Sequence, residues 1–405
     1  MNYAEFLIKS AESGKLRCSP FGLQEADELL DKMVVVSPNI FTTHFTGLCS
    51  ATPSLALCID PSSIGPATGA VSSPLNFKSP LFISGYPIGV VPPWFRKALA
   101  MACSTKGLPV FTREGIFPEE KSLISEFKGT YVACWEPSRF GMDASYLKGA
   151  GAVEIAITGS FIPSVGTKYP AEVLTEKIAA QKGIHAGKNI VGPERHLDME
   201  SALDLKKHIL LIREITEYKV PVIVQITGGD VYEEVKFAIE CGADAVHLIC
   251  MGKTSFGAPH GFFSTASLPV SAVFGPVRRA FEATKSTREK VKVIVSGGVR
   301  DGLDAFKVLC LGADAVGIEL PVFSLLEHLA KPPRTTPVDY KEIGIRIANL
   351  IDVFSEQISH HIQQCGLSDL SQLSPDLLRA VSYDCAVVTG LKIAGYNNVA
   401  PIWMY

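Results

Sequence analysis

From about residue 80 to residue 330, short runs of apolar and β-branched side chains alternate with longer stretches whose apolar positions recur every three or four residues. That alternation is the pattern of parallel βα units, in which helices cover both faces of the sheet. Eight runs qualify as strands: 81–84, 109–111, 131–135, 152–157, 221–226, 244–250, 292–296 and 315–318. Most lack polar alternation, as strands covered on both sides should. Eight units over roughly 250 residues predict an α/β fold of the (β/α)8 TIM-barrel class. Two units share a repeat, CGADAV at 241–246 and LGADAV at 311–316, each joining the end of a helix to a strand. Gly242 and Gly312 are placed to close the helix in the left-handed conformation.

The flanks read differently. Residues 1–78 mix a predicted helix near Leu23–Met33 with loops such as PSSIGPATGAVSSP, a lead-in expected to pack on the barrel at 79–331. Beyond Pro332 and Pro333, the residues Ile343, Ile347, Leu350, Phe354, Ile358 and Ile362 recur at helical spacing, and Gly366 supplies a stop. Ser374-Pro375-Asp376 predicts the start of a second helix, so 332–405 reads as a helical extension.

Composition narrows the function classes. With 38 basic and 41 acidic side chains, a net charge of -3 and no basic run, nothing points to a nucleic-acid partner. The ten cysteines never adopt C-x-x-C or another metal-ligand spacing, so they read as buried thiols in a reducing compartment, with no metal site. Glu5, Lys9 and Glu12 interrupt the N-terminal stretch where a signal peptide is apolar, and no run of about 18 apolar residues occurs. The expectation is a cytoplasmic protein without a membrane partner, homo-oligomeric or monomeric, acting on a small molecule.

Residues 291–320, VKVIVSGGVRDGLDAFKVLCLGADAVGIEL, carry the most chemistry. Gly297 and Gly298 follow the seventh strand and Gly317 ends the eighth, where barrels commonly hold a phosphate on backbone N–H groups. A bare Gly-Gly pair is otherwise a tight turn. Arg300 reads equally as a phosphate partner or a solvated side chain.

Several collinear segments resemble the FMN-binding synthase domain of glutamate synthase. SPLFISGYPIG and PVFTREG are similar to that family's first two strands, SRFGMDASYLKGAGAVEIAITG to its S-G-R-F-G and V-E-I-K-I segments, and GKNIVGPERHLDMESALDLKKHI to its S-P-x-R-H-x-D pattern. The resemblance implies FMN, with Gly85, Tyr86 and Pro87 along the ring, Thr112 a cofactor contact on the family's T-G-E-G turn, and Ser296, Gly297, Gly298, Gly317 and Ile318 on the phosphate loops. Glu114 falls on the family's T-G-E-G turn. Three departures stand out. The family's glutaminase domain and cysteine cluster have no counterpart here, with no cysteine between Cys310 and Cys365. GSFIPSVGTKYP, 159–170, lacks the lysine and glutamate of the family's substrate segment. Gln225 in VIVQI takes the place of a lysine on strand 5, removing a charge that stabilises a reduced flavin.

The resemblance therefore implies an FMN-dependent oxidoreductase acting on a small amino-acid-like or carbonyl/imine substrate, with an external electron donor or acceptor that the sequence does not identify. An FMN-dependent isomerase or lyase and a non-catalytic barrel remain as alternatives. Arg195 and His196 are candidates to hold a carboxylate and transfer a proton, or else to fix a loop together with Asp198. Glu114 reads as a substrate contact or a loop anchor, Gln225 as a flavin contact or a satisfied core amide, and His247 and His260 as flavin neighbours or ordinary side chains.

Overall fold

A computed structural model describes residue 12 and residues 27–36, 53–61, 72–88, 91–158, 166, 168–169, 171–227, 229–250, 267–330 and 339–395. The eight predicted runs form one sheet of strands β1 (Leu81–Phe82), β2 (Val110–Phe111), β3 (Tyr131–Trp135), β4 (Ala152–Ala156), β5 (Val222–Thr227), β6 (Ala245–Ile249), β7 (Lys292–Ser296) and β8 (Ala315–Gly317). Their order is 1-8-7-6-5-4-3-2, and every hydrogen-bonded pair is parallel. β1 and β2 meet through side chains, with the Phe82 and Phe111 rings 5.0 Å apart. The result is the predicted TIM-type barrel.

Its outer layer carries α1 (Pro93–Thr105), α2 (Pro118–Glu126), α3 (Ala144–Lys148), α4 (Glu176–Lys182), α5 (Ala202–Ile215), α6 (Val231–Cys241), α7 (Phe274–Thr284), α8 (Gly302–Leu311) and α9 (Glu319–Ala330). Local chemistry sets their starts. Ser201, Asp230 and Asp301 accept from backbone N–H groups in the first turns of α5, α6 and α8, satisfying donors that a helix leaves open. Gly242 and Gly312 have φ of 95° and 127°, as the repeat required.

The Asp of each repeat fastens the barrel floor. Asp244 accepts from the Val222 N–H at 2.7 Å and from Arg213 at 3.0 Å. Asp314 accepts from the Val293 N–H at 2.7 Å and pairs with Arg288. Each carboxylate thus ties the start of the preceding strand to an arginine from the segment before it.

Beyond the barrel, α10 (Tyr340–Gln364) runs for 25 residues and buries all six of the predicted apolar positions. It packs on α1 and α8, and a Cβ at Gly302 would lie 2.4 Å from the Phe354 carbonyl, so α8 starts against α10 with backbone on backbone. Two expectations need correction. The N-terminal helix expected near Leu23–Met33, of which residues 23–26 lie outside the described residues, ends at Asp31 and gives way to a strand, Met33–Val35. Ser374-Pro375-Asp376 opens a single 3-10 turn, Pro375–Leu377, rather than a helix. The chain then extends as Leu378–Ala380 and pairs antiparallel with Met33–Val35. Register explains the change: Met33, Leu378 and Ala380 are buried while Val34 is exposed, the alternation of a half-buried strand. A helix, Tyr383–Thr389, follows. No described helix is long and apolar enough to cross a membrane.

Candidate active site

The expected site residues gather at the C-terminal end of the barrel, where strands give way to loops. Gly85, Tyr86 and Pro87 follow β1 and are buried. A Cβ at Gly85 would fall 2.8 Å from the Thr112 carbonyl carbon, so this position must be glycine for the ends of β1 and β2 to approach. Arg96 of α1 holds that junction. Its guanidinium donates to the carbonyls of Tyr86 (2.5 Å), Arg113 (3.2 Å) and Gly115 (3.1 Å), and forms a two-pronged pair with Glu120 at 2.6 and 3.0 Å.

The side chains after β2 are committed inward. The Thr112 hydroxyl commits its single proton to the Val132 carbonyl at 2.8 Å and therefore accepts from the Tyr146 hydroxyl, which itself accepts from the Cys134 N–H. The Thr112 N–H also donates to the Val132 carbonyl, at 3.0 Å, so only the Thr112 carbonyl is left to face a ligand. Arg113 pairs with Glu136 through two 3.1 Å bonds, both side chains being 1% exposed. Glu114 adopts φ 56°, donates its N–H to Glu136, and receives hydrogen bonds from Lys182 and Tyr169 on its carboxylate. Burial pushes the Glu114 carboxyl up and the Lys182 ammonium down, each opposed by the partner's charge. The Glu114 carboxylate thus anchors the loop to α4.

Inside the mouth, a polar chain crosses four strands. Gln225 of β5 donates to Glu154 of β4 at 3.1 Å, and Glu154 also meets His247 Nδ1 of β6 at 2.5 Å. A carboxylate only accepts, so Nδ1 carries the proton. His247 Nε2 lies 2.7 Å from the Ser296 hydroxyl of β7, which in turn lies 3.1 Å from Glu319 at the start of α9. All five side chains are buried. Gly297 and Gly298 follow with φ of 109° and 74°, and Gly317 closes β8 beside them.

Arg195 and His196 separate. Arg195 is exposed, bridging backbone to backbone with Thr158 beyond β4. His196 is buried: its Nδ1 accepts from Arg139 at 2.7 Å, so its Nε2–H donates to the Ala156 carbonyl at 2.8 Å. Burial pushes this imidazole down to about 4. His196 is therefore neutral near pH 7 and holds the loop. Asp198 pairs with Arg139 instead of opening α5, which begins at the Ser201 cap. Arg300 likewise turns away from the mouth, pairing with Asp31 and Asp304. His260 and nearly all of the substrate segment 159–170 lie outside the described residues.

A cavity of about 300 Å³ lies behind β5 rather than over the mouth, between α5 and α6, with Val224, Ile226, Leu205 and Phe237 in its wall. Glu234, also there, is pushed up to about 7 by burial and then by Asp230. Arg96, Arg113, Glu136, Glu154 and Glu319 were not singled out from the sequence. The usable signal was ionisable residues inside apolar runs, as in AVEIA and AVGIEL.

The profile of the conserved region in glutamate synthase matches residues 50–325. A glutamate synthase large subunit-like protein of Rhizobium meliloti is 26% identical over 360 residues, covering 81% of this chain and 80% of that one. An archaeal-type glutamate synthase [NADPH] of Thermotoga maritima is 30% identical over 320 residues, covering 74% of this chain and 62% of that one. Among solved structures, the flavin-binding domain of baker's yeast flavocytochrome b2 superposes with a TM-score of 0.58 at 18% identity, over 93% of this chain and 82% of that one, a likeness of fold. By the extent of the family match, this chain belongs to the glutamate synthase family.

Proposed function

We propose that this chain is an FMN-dependent oxidoreductase of the glutamate synthase-like type, acting on a small amino-acid-like or carbonyl/imine substrate. The observation that carries the reading is the family match across the whole barrel, with a Gly-Gly turn in left-handed backbone at the end of β7 facing Gly317 of β8. Fit to the group rests on the same strand ends. Among the described residues, the N–H groups of Gly297 and Gly298 donate to no backbone carbonyl, which suits them to an anion. Backbone at Gly85, Tyr86, Pro87 and Thr112 would line the ring, and Ser296 and Ile318 would flank the phosphate.

When bound, the flavin supplies two-electron transfer, chemistry that amino-acid side chains cannot provide. The chain's own residues position and manage protons. Glu154 fixes the Gln225 amide, leaving one N–H and the carbonyl of Gln225 to a ligand. His247 and Ser296 can hold a proton on Nε2 or on the hydroxyl, with Glu154 stabilising the charged imidazole. Arg195, exposed beyond β4, would hold a substrate carboxylate.

Denaturing the purified protein should release FMN, and an anaerobic screen of amino acids should find one that bleaches it. Release of FAD, or no flavin after reconstitution with excess FMN, would overturn the cofactor. Ammonia and 2-oxoglutarate with a reduced donor should give no glutamate, because the lysine and glutamate of the family's substrate segment are replaced in 159–170.

A further inference from the structure

Glu319, separated from β8 by Ile318, opens α9 and is 2% exposed. Its Oε1 accepts from the Ser84 N–H at 2.7 Å and from the Ser296 hydroxyl at 3.1 Å. A Cβ at Gly317 would lie 2.6 Å from both carboxylate oxygens. The carboxylate therefore stands where the ends of β1, β7 and β8 converge, among the residues that the flavin reading assigns to the phosphate.

A carboxylate and a phosphate are both acceptor-only anions at neutral pH, and they seek the same donors: a serine hydroxyl, strand-end N–H groups and the positive end of a helix. Two anions in one buried cradle repel. Arg300 of the adjacent loop does not offset this, since it is directed to Asp31 and Asp304.

We propose that Glu319 is a resident anion beside the flavin phosphate, taking the Ser296 hydroxyl and repelling the phosphate held by the neighbouring Gly297 and Gly298 N–H groups, so that the phosphate contributes little to flavin affinity in this chain. The proposal rests on the flavin reading and sharpens it: recognition falls on the ring and ribityl chain.

The test is a fluorescence titration of flavin-free protein with FMN and with riboflavin, for the wild type and for Glu319→Gln. Glutamine keeps the shape and an oxygen for the Ser84 N–H while removing the charge. Wild-type affinities for the two flavins should agree within about threefold. Glu319→Gln should tighten FMN about tenfold or more, a change of about 1.4 kcal/mol, and leave riboflavin within about twofold. Wild-type protein that prefers FMN over riboflavin by tenfold or more overturns the proposal, a result that needs no variant to fold. Equal FMN affinity in both proteins also overturns it. Failure of both proteins to bind either flavin overturns the flavin reading, and the proposal with it.

Discussion

His196 shows how burial decides what a residue does. A histidine beside an arginine on a barrel's catalytic face suggests proton transfer, but the imidazole is enclosed, its Nδ1 faces the Arg139 guanidinium, and its titration falls to about 4. The folded state then binds fewer protons than the unfolded state between that value and the ordinary histidine value near 6.5. Stability contributed by neutral His196 is complete above about 6.5 and is lost as pH falls toward 4, on the order of 3 kcal/mol. Urea unfolding of wild type and His196→Gln should show the wild type losing more stability across that window, and parallel curves would refute the assignment. Gln225 gives a second residue-scale outcome. A lysine there would meet Glu154, which already holds the amide, so part of its charge is cancelled. Gln225→Lys should raise the flavin midpoint potential by no more than about 30 mV, or 1.4 kcal/mol for a two-electron couple. A fall, or a larger rise, would mean that the new ammonium does not face Glu154.

At the scale of elements, the repeated Gly-Ala-Asp segment shows one motif in two settings. Asp244 and Arg213 are 0% and 1% exposed, whereas Asp314 and Arg288 are 17% and 37% exposed. Removing one member of a buried pair leaves an uncompensated charge, at a cost of about 3–5 kcal/mol, while partly exposed pairs contribute far less. Asp244→Ala should therefore destabilise clearly more than Asp314→Ala in chemical denaturation. Equal losses would show that the shared strand-start N–H bond, rather than the ion pair, dominates both sites.

For the whole molecule, the ladder between Met33–Val35 and Leu378–Ala380 joins sequence ends separated by more than three hundred residues. It matters to the mouth because the adjoining Asp27 reaches it, its N–H donating to the Gly298 carbonyl, while Asp31 holds Arg300 away from it. Leu378 is fully buried, so Leu378→Ala should lose about 2–5 kcal/mol. Proteolysis under native conditions should then cleave near 27–36 sooner than in the wild type. Unchanged cleavage would mean that the N-terminal segment is held by the barrel loop alone.

The barrel was legible because its strands are apolar on both faces and its helices carry a period near 3.6, so eight units, their order and α10 follow from local pattern. The Gly-Gly turn and Gly317 were legible for a related reason: left-handed or closely packed backbone restricts the residue type. What only the folded chain decided was the partnering of charge. Glu154 with His247, Arg113 with Glu136, and Glu319 with Ser84 join residues far apart in sequence, and spacing along the chain carries no trace of such pairs. The same holds for His196, whose neutrality comes first from its burial in the closed barrel and then from a guanidinium 57 residues away. A helix or strand is set by interactions among near neighbours, whereas a buried charge takes its state from whichever groups the closed barrel brings within about 4 Å.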